Sequence, residues 1–241
     1  MSPHTISTSR GNGAAEQAEY ADDQLAASVG RDDQGVALIT ALLLIGLLSA
    51  IGLGLTMLTM VETWLGAGIR TSQVLACAAD AGIARVQVDL TQAADWSPLL
   101  VAPGSAFNDG ATRPVLADRS VIDLSAETRR VQSTSDSLYG DASTTADSPS
   151  WRLFAHGPVT DLVPGRVADA PVYLAAWIAD DPSDADGDPS SDANGRLMIR
   201  ATAFGPGGAR RSVEATVVRI GAPGSAGRPS AVKMIAWREL R

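Results

Sequence analysis

"GVALITALLLIGLLSAIGLGLTMLTMV", residues 35–61, follows directly on the charged, turn-like "RDDQ" of residues 31–34. After Gly35 there is neither a charged residue nor a proline until Glu62. A helix over 36–61 spans roughly 39 Å at about 1.5 Å per residue, more than the roughly 30 Å hydrocarbon core of a bilayer. The segment is therefore expected to cross a membrane. Gly46, Gly52 and Gly54 interrupt its Leu-rich pattern; such glycines cost helix stability in water but are commonly tolerated in membrane helices and at close helix contacts.

Past Glu62 the pattern changes without stopping. Leu65, Ile69, Leu75, Ala79, Ile83, Val86 and Leu90 recur at intervals near three and four, with Arg70, Asp80, Arg85 and Asp89 between several of them. This spacing predicts an amphipathic continuation over 62–92, and Trp64 suits the membrane interface. The combined helix from Val36 would run to about Gln92, roughly 85 Å at the same rise per residue.

Upstream, residues 1–35 mix Ser, Thr, Gly, Ala, Gln and acids without hydrophobic periodicity and read as a disordered or removable leader. Its acids (Glu16, Glu19, Asp22, Asp23, Asp32 and Asp33) outnumber Arg10 and Arg31, so its positive-inside signal is weak. An ordinary secretory signal has an apolar core of about 7–15 residues after a positive start. The chain has neither, which argues against a secreted enzyme.

The 241 residues carry 27 acidic and 19 basic side chains, a formal charge of −8, which disfavours nucleic-acid binding through a broad basic face. Cys77 is the only cysteine and His4 and His156 the only histidines. That leaves no intramolecular disulfide and little material for a triad or a histidine metal site. No enzymatic activity is expected. Cys77, between Ala76 and Ala78 on the stem, reads as a buried small thiol. His156 reads as structural or exposed, and nothing in the spacing of Thr160 and Asp161 after it marks an activated nucleophile.

From Asp95 onward, Pro98, Pro103, Gly104, Gly110 and Pro114 break the chain into loops before a short apolar run at 121–124, and residues 132–150 read as a polar surface loop. "WRLFAH" (151–156), "VYLAAWIA" (172–179), "RLMIRATAF" (196–204) and "RSVEATVVRI" (211–220) are strand-length runs. The last two flank "GPGG" and predict an antiparallel hairpin with Leu197, Ile199, Ala201 and Ala203 on one face. "AVKMIAWREL" (231–240) adds a terminal strand or short helix. The expected fold is α+β: a long N-terminal helix packed on a small C-terminal antiparallel sheet. Its divisions are a leader (1–35), a membrane half (36–61), a stem (62–92) and a β-rich head (93–241).

"DDPSDADGDPSSDANG" (180–195) is the strongest chemical candidate, with Asp184, Asp186 and Asp188 at alternate positions and Asp192 and Asn194 just beyond. Clustered carboxylates suit calcium, which takes six to eight oxygen ligands. The EF-hand template fails, because counting from Asp184 the sixth position is Pro189 and the twelfth Gly195. A solvated acidic turn between two strands accounts for the same residues without a metal. No other cofactor is expected.

A glycine followed by a long apolar helix, an amphipathic stem and a small C-terminal sheet resembles the type IV pilins and type II secretion pseudopilins. Within that superfamily residues 35–90 are most similar to the N-terminal domain of PilX-type minor pilins. The family pattern has an acid past the membrane run, an Arg, a Ser-Gln pair and an Ala-rich A-[ED]-A-G segment; the chain supplies Glu62, Arg70, Ser72, Gln73, Ala79, Asp80, Ala81 and Gly82, then the apolar helix end at Leu90.

The resemblance implies cleavage after Gly35 by a prepilin peptidase and a mature, typically N-methylated terminus at Val36. It implies a bacterial inner-membrane prepilin whose C-terminal domain lies outside the cytoplasm, and which then joins a pilus at the cell surface. The implied partners are other pilins and the inner-membrane assembly platform, and the implied roles are assembly initiation, adhesion or tip function. Pilins usually carry glutamate as the fifth mature residue, whereas this chain has Thr40, as some minor members at the filament tip also lack it; a major structural subunit is not expected. Glu62 is then an interface charge or a partner for Arg70 or a neighbouring subunit. A minor pseudopilin and an uncleaved, single-pass binding protein are the two alternatives.

Overall fold

The computed structural model describes residues 12–102, 104–140, 148–162, 171–184, 186–221 and 231–240, with side chains from residue 35 onward. The chain forms two compact units, Met1–Leu65 and Gly66–Arg241. A first helix, α1 (Asn12–Gln92), supplies residues to both.

The helix begins well before Gly35, so 12–34 is helical where the sequence reading has a disordered leader. The reason is composition: "AAEQAEY" and "QLAAS" are rich in residues of high intrinsic helix propensity, and helicity needs no hydrophobic period. Within the first unit every residue from 35 to 65 is exposed. The hydroxyls of Thr40, Ser49, Thr56 and Thr59 donate to carbonyls three or four residues earlier, at 2.7–3.0 Å. These bonds satisfy the polar groups within the helix, as an apolar surround requires. By length and composition Gly35–Gln92 can cross a membrane.

The second unit packs residues 66–92 of α1 on a five-stranded antiparallel meander. Its strands, in spatial as in chain order, are β1 (Arg152–Pro158), β2 (Tyr173–Asp180), β3 (Arg196–Phe204), β4 (Arg210–Ile220) and β5 (Ala231–Leu240). The C-terminal segment, open between strand and helix in the sequence, is the edge strand β5. The β3–β4 connection turns through Pro206–Gly208, with φ of 68° at Gly207 and 75° at Gly208, where only glycine avoids strain.

The buried stripe of α1 is Leu75, Ala78, Ala79, Gly82, Ile83, Val86 and Leu90, which meets Leu174, Ala176, Ile178, Leu197, Ile199, Ala201 and Ala203. Leu65 and Ile69, expected on the same face, are about 60% exposed, and the buried apolar stripe starts at Leu75. Cys77 is exposed, not buried, because it falls between the turns that carry this stripe. Past the helix end, Trp96 is fully buried, and its indole Nε1–H donates to Leu90 O at 3.0 Å, satisfying a carbonyl of the last turn.

The other sheet face is also buried. Tyr173, Ala175, Trp177, Ala179, Met198 and Phe204 meet Leu124 and Val131 of α3 (Leu124–Tyr139), which follows the short helix α2 (Ser97–Val101). This third layer corrects the reading of 132–150 as a surface loop over 132–139; residues 141–147 lie outside the described residues. Asp123 caps α3 by accepting from Ala126 N at 2.8 Å, and Gln132 ties it to the start of β1 through Pro149 O and Trp151 N. Only Leu124, Val131 and Ser135 of α3 are buried, too sparse an apolar stripe to declare a helix among so many Ser and Thr.

Under α3 the chain buries an ion pair, Arg200 and Glu214, which the exposed Arg238 joins from the edge strand. Arg200 Nη2 lies 2.5 Å from Glu214 Oε2, and Arg238 Nη2 lies 2.5 Å from Glu214 Oε1. The Arg200 guanidinium also donates to Val131 O and sits over the Trp151 ring, 4.9 Å from its centroid.

Gly82 marks the closest approach of α1 to the sheet: a Cβ there would stand 2.8 Å from Leu174 Cδ1 and 3.0 Å from Ala201 Cβ. Gly66 and Gly68, in the same helix, have nothing within 4 Å. We expect Gly82→Ala to lower stability by about 1 kcal/mol, overpacking of roughly 1–3 kcal/mol outweighing a propensity gain of about 1 kcal/mol. Gly68→Ala is expected to raise stability by up to about 1 kcal/mol. Opposite shifts of the denaturation midpoints in detergent check both signs.

Candidate functional site

The stem residues singled out by sequence have different environments. Gly35 and Val36 are interior residues of α1, and Thr40 bonds back to Val36 O and Ala37 O. Glu62, Arg70 and Gln73 are exposed. Ser72 is an anchor, its hydroxyl accepting from Arg211 Nη2 of β4 at 2.6 Å and from Nε at 3.1 Å. Asp80 accepts from Trp237 Nε1 of β5 at 3.2 Å, and Gly82 faces Leu174 and Ala201. Ser72, Asp80 and Gly82 thus hold the stem to four strands, β4, β5 and, through Gly82, β2 and β3, a role that spacing along one helix does not reveal.

The acidic loop joins β2 to β3. Three of its carboxylates converge: Asp180, Asp184 and Asp192 each place an oxygen within 4.8 Å of the others. Two of these belong to the set expected from the sequence. The remaining members do not join them. Asp186 accepts from Asp188 N at 3.0 Å, Asp188 from Ser190 N at 3.0 Å and Ser190 Oγ at 2.6 Å, and Asn194 from Arg196 N at 2.7 Å, all as exposed local turns. The Ser190 bonds hold Asp188 below the ordinary carboxylate range.

Asp180, by contrast, is the last residue of β2 and only 5% exposed. Its Oδ1 is buried and has no hydrogen-bond partner among the described residues. Burial pushes its pKa from 3.8 up to about 7; the Asp181 backbone N–H offsets part of this, and the charges of Asp184, Asp192 and Asp186 add to it. The two loop carboxylates are fixed by backbone donors, Asp184 Oδ2 by Ala193 N and Asn194 N at 2.8 and 3.0 Å, and Asp192 Oδ1 by Gly195 N and Arg196 N at 2.7 and 3.1 Å. Burial raises Asp192 as well, against the lowering effect of Gly195 N–H and of Arg219, whose Nη2 lies 3.7 Å from Oδ2. Arg219 is itself held over the Trp96 ring, 4.3 Å from its centroid, and donates to Ala94 O.

Asp180 escaped the sequence reading because it ends an apolar strand run, and spacing within the loop favours the alternate triple that follows it. The adjoining "DD" at 180–181 was the available signal.

His156 is buried in a closed polar cluster with Asp109 and Tyr173. Its Nδ1 lies 2.8 Å from Tyr173 Oη and 3.1 Å from Asp109 Oδ1, while the Tyr173 hydroxyl donates to Asp109 Oδ1 at 3.0 Å. Burial first, then the Asp109 carboxylate, raises the Tyr173 pKa. These groups tie β1 and β2 to the 105–110 loop, which also pairs Asn108 with His156. Thr160 and Asp161 lie at the surface, bonded to each other at 3.2 Å.

No known protein family, characterised protein or solved structure matches this chain.

The environment of Asp180 sets a pH dependence. With a folded pKa of about 7 against 3.8 unfolded, the folded state holds one extra proton between these values, so stability falls as pH rises from about 4 to about 7. The loss is on the order of 4 kcal/mol in metal-free buffer. Denaturation midpoints across that range, with chelator present, should show the decline, and Asp180→Asn should flatten it.

Proposed function

We propose that the chain is a minor pilin, a structural and assembly subunit of a type IV pilus. The observation that carries this reading is the double character of α1: an uncharged, fully exposed apolar run over 36–61 continues as unbroken helix into a stripe buried on an antiparallel sheet. So large an exposed apolar surface needs lipid or apolar partners to cover it. Membrane insertion before assembly and stem packing within a filament answer that need with the same residues. The stem motif supports the reading through its internal logic, since Ser72, Asp80 and Gly82 hold the head to the helix while Glu62, Arg70 and Gln73 are exposed and free to meet neighbouring subunits.

In this reading a prepilin peptidase at the cytoplasmic membrane face cuts after Gly35, Val36 becomes the methylated terminus, and the head acts outside the cytoplasm in assembly initiation, adhesion or tip function. Thr40 suits a minor rather than a major subunit. A minor pseudopilin of type II secretion shares all these features; co-purification with pilus tips or with secretion components separates the two. The start of α1 at Asn12, with helix running through Gly35, favours instead an uncleaved single-pass anchor.

Mass spectrometry of the N-terminus of protein isolated from its native envelope decides between cleavage and anchoring. The expected result is a terminus at Val36 carrying a methyl group, and an intact 1–35 segment in membrane-bound material would sink the filament reading.

A further inference from the structure

The junction of β2 and β3 carries an unbalanced buried charge that the filament role does not use. Asp180, Asp184 and Asp192 bring three carboxylates within 4.8 Å of one another, and among the described residues the one cation in an ion pair with them is Arg219, 3.7 Å from Asp192. One guanidinium against three carboxylates leaves two negative charges, and exposed Asp186 adds to the field on Asp180. The independent observation is Asp180 Oδ1. It belongs to a residue only 5% exposed, has no hydrogen-bond partner among the described residues, and lines the same narrow cleft as Asp184. Buried carboxylate oxygens are ordinarily paired or coordinate a metal, because an unpaired one forfeits its hydration with nothing in return.

We propose that Asp180, Asp184 and Asp192 form a calcium site that clamps the β2–β3 junction. The donor chemistry selects the ion. All three groups are hard oxygen ligands with no imidazole or thiolate among them, which excludes the softer transition metals by preference. Oxygens at calcium's ligand distance of about 2.3–2.6 Å lie up to roughly 5 Å apart across the ion, which the 4.8 Å limit on this cluster satisfies. Magnesium, bound at about 2.0–2.1 Å in strict octahedral geometry, suits a looser, water-filled site. Two net charges match a divalent ion. The backbone N–H groups that hold Asp184 Oδ2 and Asp192 Oδ1 keep both carboxylates in place, leaving the second oxygen of each outside those bonds. The ion would join the end of β2 to a loop that also reaches Ser97, whose hydroxyl accepts from Asp192 N at 3.0 Å.

The proposal does not depend on the filament reading, since it concerns the head alone and holds equally for an uncleaved anchor. The test is calorimetric titration of calcium chloride into the full chain, purified in detergent and stripped with chelator, with thermal unfolding followed in parallel. The expected result is one saturable calcium per chain in the micromolar to millimolar range, an upward shift in Tm, and magnesium binding at least about tenfold weaker. Asp180→Asn should weaken calcium at least about tenfold, and in chelator it should melt no lower than the parent because it removes an unpaired charge. Asp188→Asn, in an exposed turn, should bind within about twofold of the parent. Absence of saturable binding at roughly 10 mM calcium overturns the site without any variant. So does magnesium binding as tightly as calcium, Asp180→Asn retaining the parent's affinity, or Asp188→Asn losing as much as Asp180→Asn.

Discussion

The close approach of α1 to β2 and β3 at Gly82 governs the arrangement of the second unit. Without a side chain at this position the helix backbone comes near enough for Leu174 and Ala201 to fill the space a Cβ would take. Ala78 and Ala79 one turn earlier are small for the same reason, while Leu75, Ile83, Val86 and Leu90 reach outward to grip the sheet on either side. Close packing rewards such alternation of small and large residues, since a void of even one methyl group forfeits contact energy on all its walls. The anchors at Ser72 and Asp80 then resist rotation of the helix on the sheet.

A helix on one side leaves the other face of the sheet to be covered, and α3 covers it at the cost of burying charge. Arg200 and Glu214 lie opposite each other on β3 and β4, and Arg238 of β5 supplies the second guanidinium. The buried pair is tolerable because each ion has the other: a lone buried ion forfeits its hydration, whereas Arg200 has Glu214, Val131 O and the Trp151 ring, and Glu214 is met on its other oxygen by the exposed Arg238. The acidic loop before the start of β3 is different. Its outer aspartates are satisfied by their own turns, whereas Asp180, at the end of a strand buried along its whole length, keeps an Oδ1 without a partner among the described residues. Charge is thus matched where the fold buries it beneath α3 and left unmatched where β2 leaves the core.

The apolar run after Gly35 and the buried stripe of the stem answer to different solvents, yet they lie on one helix. Leu and Ile from 36 to 61 are exposed, and their hydroxyl-bearing neighbours have turned inward to the backbone. This is the arrangement a lipid environment imposes, because there the backbone and its hydroxyls have no water to turn to. From Leu75 the same helix meets side chains of its own chain, and water-soluble rules apply again.

Much of this was legible in the chain. Strand-length apolar runs bounded by turn residues located β1 to β4, with period-two alternation pairing the last two of these, while the terminal segment stayed open between strand and helix; a 3.6-residue period located the stem, because it reports burial on one face of a helix. The absence of charge from 36 to 61 determined that this helix needs an apolar environment, since that demand arises from composition alone. What spacing did not carry was α3, whose polar sequence is held by a cap and three buried residues; the start of α1 at Asn12, where propensity acts without periodicity; the exposure of Ile69, decided by where the sheet begins; and that of Cys77, which lies off the buried stripe. The acidic loop shows the division most clearly. Its sequence determined a concentration of carboxylates, but which of them meet was decided by tertiary structure, because β2 delivers Asp180 from below while the turns point Asp186 and Asp188 into water, and Coulomb interaction depends on distance in space and on burial, not on separation along the chain.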